Sequence, residues 1–275
     1  MRGILPYLVN ALLYGGLAYH FWRTRWLHAG TSTATPSSSA LEHYAMLVPL
    51  GLHTALLARS MFGGPGLYLG VGDAVSAIVW LTVLIYWLGN FFYRLEGLQA
   101  LVTPIAAAAA LLPAIFPSAR PLPNTDLIAF KFHLLISMLA YSFFTIASLH
   151  VLLMALLERR LHDGTLPQIL QRLPPLLAME TMLFRMIWAG FILLTLTLAS
   201  GVIYSEELFG KPAQFTHKTV FGVLSWVIFA ALLCGRHVYG WRGRVAVRWT
   251  LAGFLTLVLA YVGSKFVLEV LLGRT

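Results

Sequence analysis

Eight apolar runs, each about 18 residues or longer, succeed one another along the 275-residue chain. They cover residues 4–22, 44–61, 68–92, 98–115, 127–157, 181–204, 216–237 and 247–272. A bilayer core of ~30 Å takes about 20 residues of helix at 1.5 Å rise each. Membrane β-strands are about ten residues long and alternate in polarity; these runs are longer and do not alternate. Without water at that depth the backbone must satisfy its own hydrogen bonds, which a helix does within one run. The sequence therefore predicts an all-α, polytopic integral membrane helix bundle of about eight transmembrane helices, a single domain over residues 1–275. Composition agrees, since 11% of the residues are charged against about 25% in soluble domains. The fifth run is too long for one straight span, so part of it extends into water. Cys234 is the single cysteine, which excludes an internal disulfide and a CxxC motif.

Orientation follows from the basic loops. Arg159, Arg160 and Arg172 lie between runs five and six, and Arg236, Arg242, Arg244 and Arg248 between runs seven and eight. The positive-inside rule puts both loops in the cytoplasm, and alternation adds Arg23, Arg25 and Arg94. Arg2, Arg59, Arg120, Lys131, Lys211, Lys218 and Arg274 then fall outside, and both termini face the outer, periplasmic side. The net charge of +9 is thus explained by topology and anionic lipid heads rather than by nucleic acid. Arg2 before an apolar run resembles a signal peptide, but no A-x-A-like site follows and Arg23 and Arg25 flank a retained helix. Residues 31–39 read as a polar Ser/Thr/Pro loop. Leu166, Ile169, Leu170, Leu173, Leu176 and Leu177 recur at helical spacing, which suggests either an interfacial helix at 165–178 or a greasy loop.

Ionisable residues inside a span are costly and point to function. His133 opens run five and His217 opens run seven, at the same outer level. Two neutral imidazoles facing each other across a gap suit the axial positions of a haem iron. Phe130, Phe132, Phe215, Phe221 and Trp226 offer aromatic walls, and Lys131 and Lys218 lie at the height of the propionates. The alternative is a pair of interfacial histidines capping helix ends. His53 lies mid-depth in run two and His150 in the inner half of run five. His133 and His150 are separated by ~25 Å of helix, so a haem at His53 is a second, inner site. Its partner is His150 or Cys234, unless His150 is a structural histidine bonded to a neighbour. His20, His28, His43, His162 and His237 read as interfacial or solvated. Arg185 either snorkels to the inner interface or anchors a carboxylate or lipid head. Lys265 and Glu269 stand i, i+4 and pair. No GxGxxG, P-loop, GxSxG or HExxH is present, and carboxylates near the membrane body are limited to Asp73 and Glu269.

Four stretches carry a family resemblance. They are LGLHTALLARSMFGGPG from Leu50 with Ser76 and Trp80, FHLLISMLAYSFFTIAS from Phe132, LFRMIWAGFILLTLTLASGVIYS from Leu183, and the stretch from Thr216 through the GWRG turn to Phe266. Together they resemble the cytochrome c assembly family, the CcsA/CcmC/HemX-like group, and within it the YpjD/HemX-like branch. The resemblance places His53 on a membrane-embedded haem histidine and His133 on an outer haem ligand. The tryptophan-rich WWD loop of CcsA and CcmC is missing, THKT (216–219) stands at its end, the inner second histidine falls at Cys234, and nothing near Leu272 matches the last outer histidine. His217 then takes the outer ligand role.

The resemblance implies a haem b-binding bacterial inner-membrane protein of c-type cytochrome biogenesis. It would be a carrier or chaperone rather than an enzyme, using His133 and His217 as axial ligands. His53, His150, Trp226, Lys218 and Arg185 complete the expected binding set. Partners would be haem, the bilayer and other cytochrome c maturation or haem-synthesis proteins. The alternatives are a HemX-like regulatory scaffold acting on haem synthesis and a cytochrome b-like redox protein with a quinone pocket.

Overall fold

The computed structural model describes residues 3–24, 36–93, 97–118, 120–122, 125–162, 175–205 and 216–267. All eight apolar runs are helical within that set. The helices are α1 (Leu5–Trp22), α2 (Pro36–Ala45), α3 (Leu47–Phe62), α4 (Val71–Gly89), α5 (Gln99–Ala109), α6 (Leu112–Ile115), α7 (Ile128–His162), α8 (Leu176–Ile203), α9 (His217–Tyr239) and α10 (Arg244–Val258). A π-helical turn, Leu259–Gly263, continues α10 into a last turn, Ser264–Phe266. Six helical stretches among the described residues are long and apolar enough to cross a membrane: Ala40–Phe62, Val71–Gly89, Ile128–Arg159, Leu176–Ile203, His217–Tyr239 and Arg244–Phe266. The fourth run is broken, with Pro104 inside α5 and Pro113 at the start of α6, because proline removes a helical hydrogen bond.

Three details differ from the sequence reading. The loop at 31–39 ends early, since α2 starts at Pro36, where the missing N–H of a first-turn proline costs nothing. Leu176 and Leu177 form the first turn of α8; the rest of the proposed interfacial helix lies outside the described residues. That early start also draws Glu180 into the bundle, 7% exposed, where it accepts from Arg236 at 3.0 Å. Asp73 and Glu269 are therefore not the full set of membrane-level carboxylates.

The C-terminal helices α7, α8, α9 and α10 form a ring: α7 packs on α8 and α10, and α9 packs on the same two. Helices in lipid gain little from hydrophobic exclusion and rely on close packing around small residues. Here the two diagonals differ in size. Phe144 of α7 and Phe229 of α9 stack across the centre at 3.9 Å. On the other diagonal, a Cβ on Gly190 would stand 3.0 Å from Phe144, and one on Gly253 would stand 2.8 Å from Phe229. Two glycines thus make room for two rings. The Tyr141 hydroxyl donates to the Leu257 carbonyl at 2.8 Å, close to where the α-ladder of α10 gives way to the π turn. The α9–α10 connection needs left-handed backbone at Gly240 (φ 66°) and positive φ at Gly243 (52°), which glycine adopts without penalty.

The N-terminal helices attach through α4. Helix α1 packs on α5 and α3, and α4 packs on α3, α5, α6 and α7. Ser142 of α7 donates to the Ile78 carbonyl of α4 at 3.0 Å. At one end, segments 63–70 and 116–122 join through a Tyr68–Pro121 bridge and a 2.7 Å bond from Leu122 N to Leu67 O. Buried Asp73 holds that end together, accepting from Ser60 at 2.5 Å and from Ser118. Lys265 donates to the Leu69 carbonyl there, while Glu269 lies outside the described residues.

Candidate functional site

His133 stands in the second turn of α7, at the Asp73 end of the bundle. Its Nδ1 lies 2.8 Å from Ser200 Oγ on α8. Ser200 in turn donates its hydroxyl proton to the Thr197 carbonyl at 3.1 Å. With that proton committed, Ser200 can only accept from the ring, so the network assigns the proton to Nδ1 and leaves the lone pair on Nε2. Histidines that ligate metals hold their second nitrogen in this way, which fixes ring orientation and raises basicity. Gly201 lies beside the ring: a Cβ there would stand 3.4 Å from His133 Cε1, in van der Waals contact.

His217 is the first residue of α9, and its side chain is exposed. The fold brings it to the same end as His133, on the helix diagonal to α7. No hydrogen bond or ring contact joins the two histidines among the described residues. Lys218 follows it and lies 5.7 Å from the Tyr261 ring centroid, with Lys265 at 5.8 Å from the same ring. Two cations therefore gather at the end that carries both histidines.

The expected aromatic walls do not stand together. Phe130 is buried with Leu57, Met61 and Leu69 of the N-terminal half, Phe132 is 60% exposed, and Phe215 lies outside the described residues. Neighbours in a helical sequence are turned about 100° from one another, so proximity in number did not mean a shared wall. Trp226 stacks on Phe191 at 5.4 Å and donates to Thr195 at 2.8 Å, on the seam between α8 and α9.

The inner histidines take separate partners. His150 Nε2 donates to the Met179 carbonyl of α8 at 3.0 Å, which makes it a link in the α7–α8 seam. His53, 1% exposed, sits 2.9 Å from Ser76 on α4. Neither ring bonds to or stacks on the other. Cys234 is exposed and does not share the closed surroundings of His53. Arg185 is exposed on α8.

Among the histidines read as solvated, two have partners. His20 meets Glu42 at 2.9 Å. His43 is stacked on Trp87 at 5.1 Å, edge-on to Phe91 at 4.5 Å. Trp87 lies 44 residues away in sequence and Phe91 lies beyond the end of α4, so neither gave a local signal. His237 is exposed, and His28 and the His162 side chain lie outside the described residues. Among the described residues no group of three or more His, Cys, Asp or Glu is placed to hold a bare metal ion. A porphyrin iron asks for less, since the macrocycle fills four positions and the protein one or two. His133, with its tautomer fixed, fits that demand.

The family model for cytochrome C assembly protein matches residues 40–272. The inner membrane protein YpjD of Escherichia coli K12 is 34% identical over 139 residues, 50% of this chain and 52% of that protein. The cytochrome c biogenesis protein CcsA of Prochlorococcus marinus strain AS9601 is 35% identical over 88 residues, 32% of this chain and 28% of that protein. A 28.8 kDa protein of Azospirillum brasilense is 36% identical over 143 residues, 51% of this chain and 52% of that protein. The matched region thus spans about half the length of the first of these relatives, and no solved structure matches the chain. With six membrane-capable helices and a relative named for the inner membrane, this is a multi-pass bacterial inner-membrane protein. The family match covers most of the chain, from α2 to beyond the last described turn, and the chain belongs to the cytochrome c assembly protein family.

Proposed function

We propose that this protein handles haem b for c-type cytochrome biogenesis, as a carrier or chaperone and not as an enzyme. The observation that supports this most is the Ser200-fixed tautomer of His133, which leaves Nε2 as the coordinating atom. Haem, when bound, would supply an iron that accepts such nitrogens. His133 of α7 would hold it through Nε2. His217, an exposed ring at the first turn of α9, would be the second imidazole to hold it. Lys218, at the same end, would meet its carboxylates. Trp226 lends an aromatic surface on the α8–α9 seam. Because coordination and non-covalent contacts alone would hold the ligand, its release would break no bond to carbon, which suits transfer to maturation partners. By the positive-inside rule the arginine end faces the cytoplasm, so the site faces the periplasm.

A pyridine haemochrome assay on the chain purified from haem-supplied cells tests this. Haem copurifies with wild type and falls to a small fraction in His133→Ala. Equal haem in both would refute His133 as the ligand, and none in either under any supply would refute haem handling and favour a HemX-like scaffold.

A further inference from the structure

The N-terminal half contains a polar group that the outer histidines do not touch. Asn10 and Tyr14 lie one turn apart on α1, both fully buried. Tyr14 stands edge-on to His53, ring centroids 5.8 Å apart. Both amide atoms of Asn10, the Tyr14 hydroxyl and His53 Nδ1 are buried without a hydrogen-bond partner among the described residues. His53 Nε2 is engaged with Ser76. Four orphaned polar atoms from two helices are expensive at this depth, since each unmade bond costs several kcal/mol in hydrocarbon. Such a cluster persists where an occupant completes it.

The chemistry of the atoms narrows the occupant. Asn10, Tyr14, His53 and Ser76 include no carboxylate, ammonium or guanidinium, so the ligand is neutral. The amide NH2 and the phenol donate, the amide and phenol oxygens accept, and His53 Nδ1 does one or the other according to its tautomer. A head group that presents a carbonyl in one state and a hydroxyl in the other matches both sets. A single iron atom would take one imidazole nitrogen or one phenolate oxygen and leave both atoms of the Asn10 amide unpaired. The other face of α1 exposes Leu5, Leu8, Val9, Leu12 and Leu13, so a single helix separates the cluster from lipid. Residues Asn10 and Tyr14 also precede the family match, which begins at residue 40.

We propose that Asn10, Tyr14, His53 and Ser76 form a binding site for the oxygen-bearing head of a membrane-soluble quinone or quinol. The test is a titration of the purified full-length chain in detergent with decylubiquinone, read by tryptophan fluorescence and by calorimetry. Wild type binds saturably at one site per chain. Asn10→Leu and Tyr14→Phe each weaken binding by roughly tenfold or more, the loss of one bond to a buried partner. Tyr14→Phe keeps the ring, so it decides the matter if Asn10→Leu fails to fold. His133→Ala leaves quinone affinity unchanged, which separates this site from the haem reading. Absence of saturable binding, or wild-type affinity in both α1 variants, would overturn the proposal. So would a haem spectrum that is lost in His53→Ala and kept in His133→Ala, which would hand the cluster to iron.

Discussion

Replacing Ser200 by alanine removes one hydroxyl and should loosen haem far out of proportion to that change. In the wild type Ser200 accepts from His133 Nδ1 at 2.8 Å and donates its own hydroxyl hydrogen to the Thr197 carbonyl. Without it, the half-buried ring N–H loses the Ser200 acceptor, at a cost of about 1–3 kcal/mol. The ring also loses its fixed orientation and some basicity at Nε2. Removing such an outer partner lowers metal affinity about 10–100-fold. At 1.4 kcal/mol per tenfold that range is about 1.4–2.8 kcal/mol, the same size as the cost of the lost acceptor. The two estimates come from different physics and agree. The assay is a haemin titration of the detergent-solubilised protein, followed by absorbance. Ser200→Ala should raise Kd by about 10–100-fold, while Ser200→Thr, which keeps a hydroxyl, should recover much of it. An unchanged Kd in Ser200→Ala would refute the tautomer argument, and with it the best physical support for His133 as a ligand.

Two further predictions concern the bundle. Gly253→Ala puts a Cβ 2.8 Å from the Phe229 ring and should destabilise the protein by about 1–3 kcal/mol through overpacking. A lowered thermal midpoint that Phe229→Leu partly restores in the double variant checks this; a wild-type midpoint would contradict the packed centre. Orientation is tested by single cysteines in a Cys234→Ser background. Lys131→Cys should react with an impermeant maleimide in intact spheroplasts, and Arg242→Cys only after permeabilisation. The reverse pattern would invert the topology and move the proposed haem site to the cytoplasmic side.

The fold was largely legible because hydropathy over 20 residues is a strong signal. Each apolar run has a helical counterpart, and α7 runs 35 residues without a break, as its length required. Errors sit at boundaries: α8 starts at Leu176 instead of Thr181, which hid the buried Glu180–Arg236 pair. The site was legible only in part. His133 was found from its depth, but its partner Ser200 lies 67 residues away, a distance no local pattern bridges. His150 was weighed as a ligand, yet its ring meets a backbone carbonyl, a contact that leaves no trace in sequence. Asn10 and Tyr14 did leave one, as polar residues i, i+4 in an apolar run, but their burial without partners appears only after α3 and α5 close around α1.

The most direct test is the low-temperature electron paramagnetic resonance spectrum of the ferric haem-loaded chain. Ligation by His133 and His217 predicts a low-spin bis-imidazole signal that turns high-spin in either single alanine variant. A low-spin signal that survives intact in His133→Ala would contradict the account.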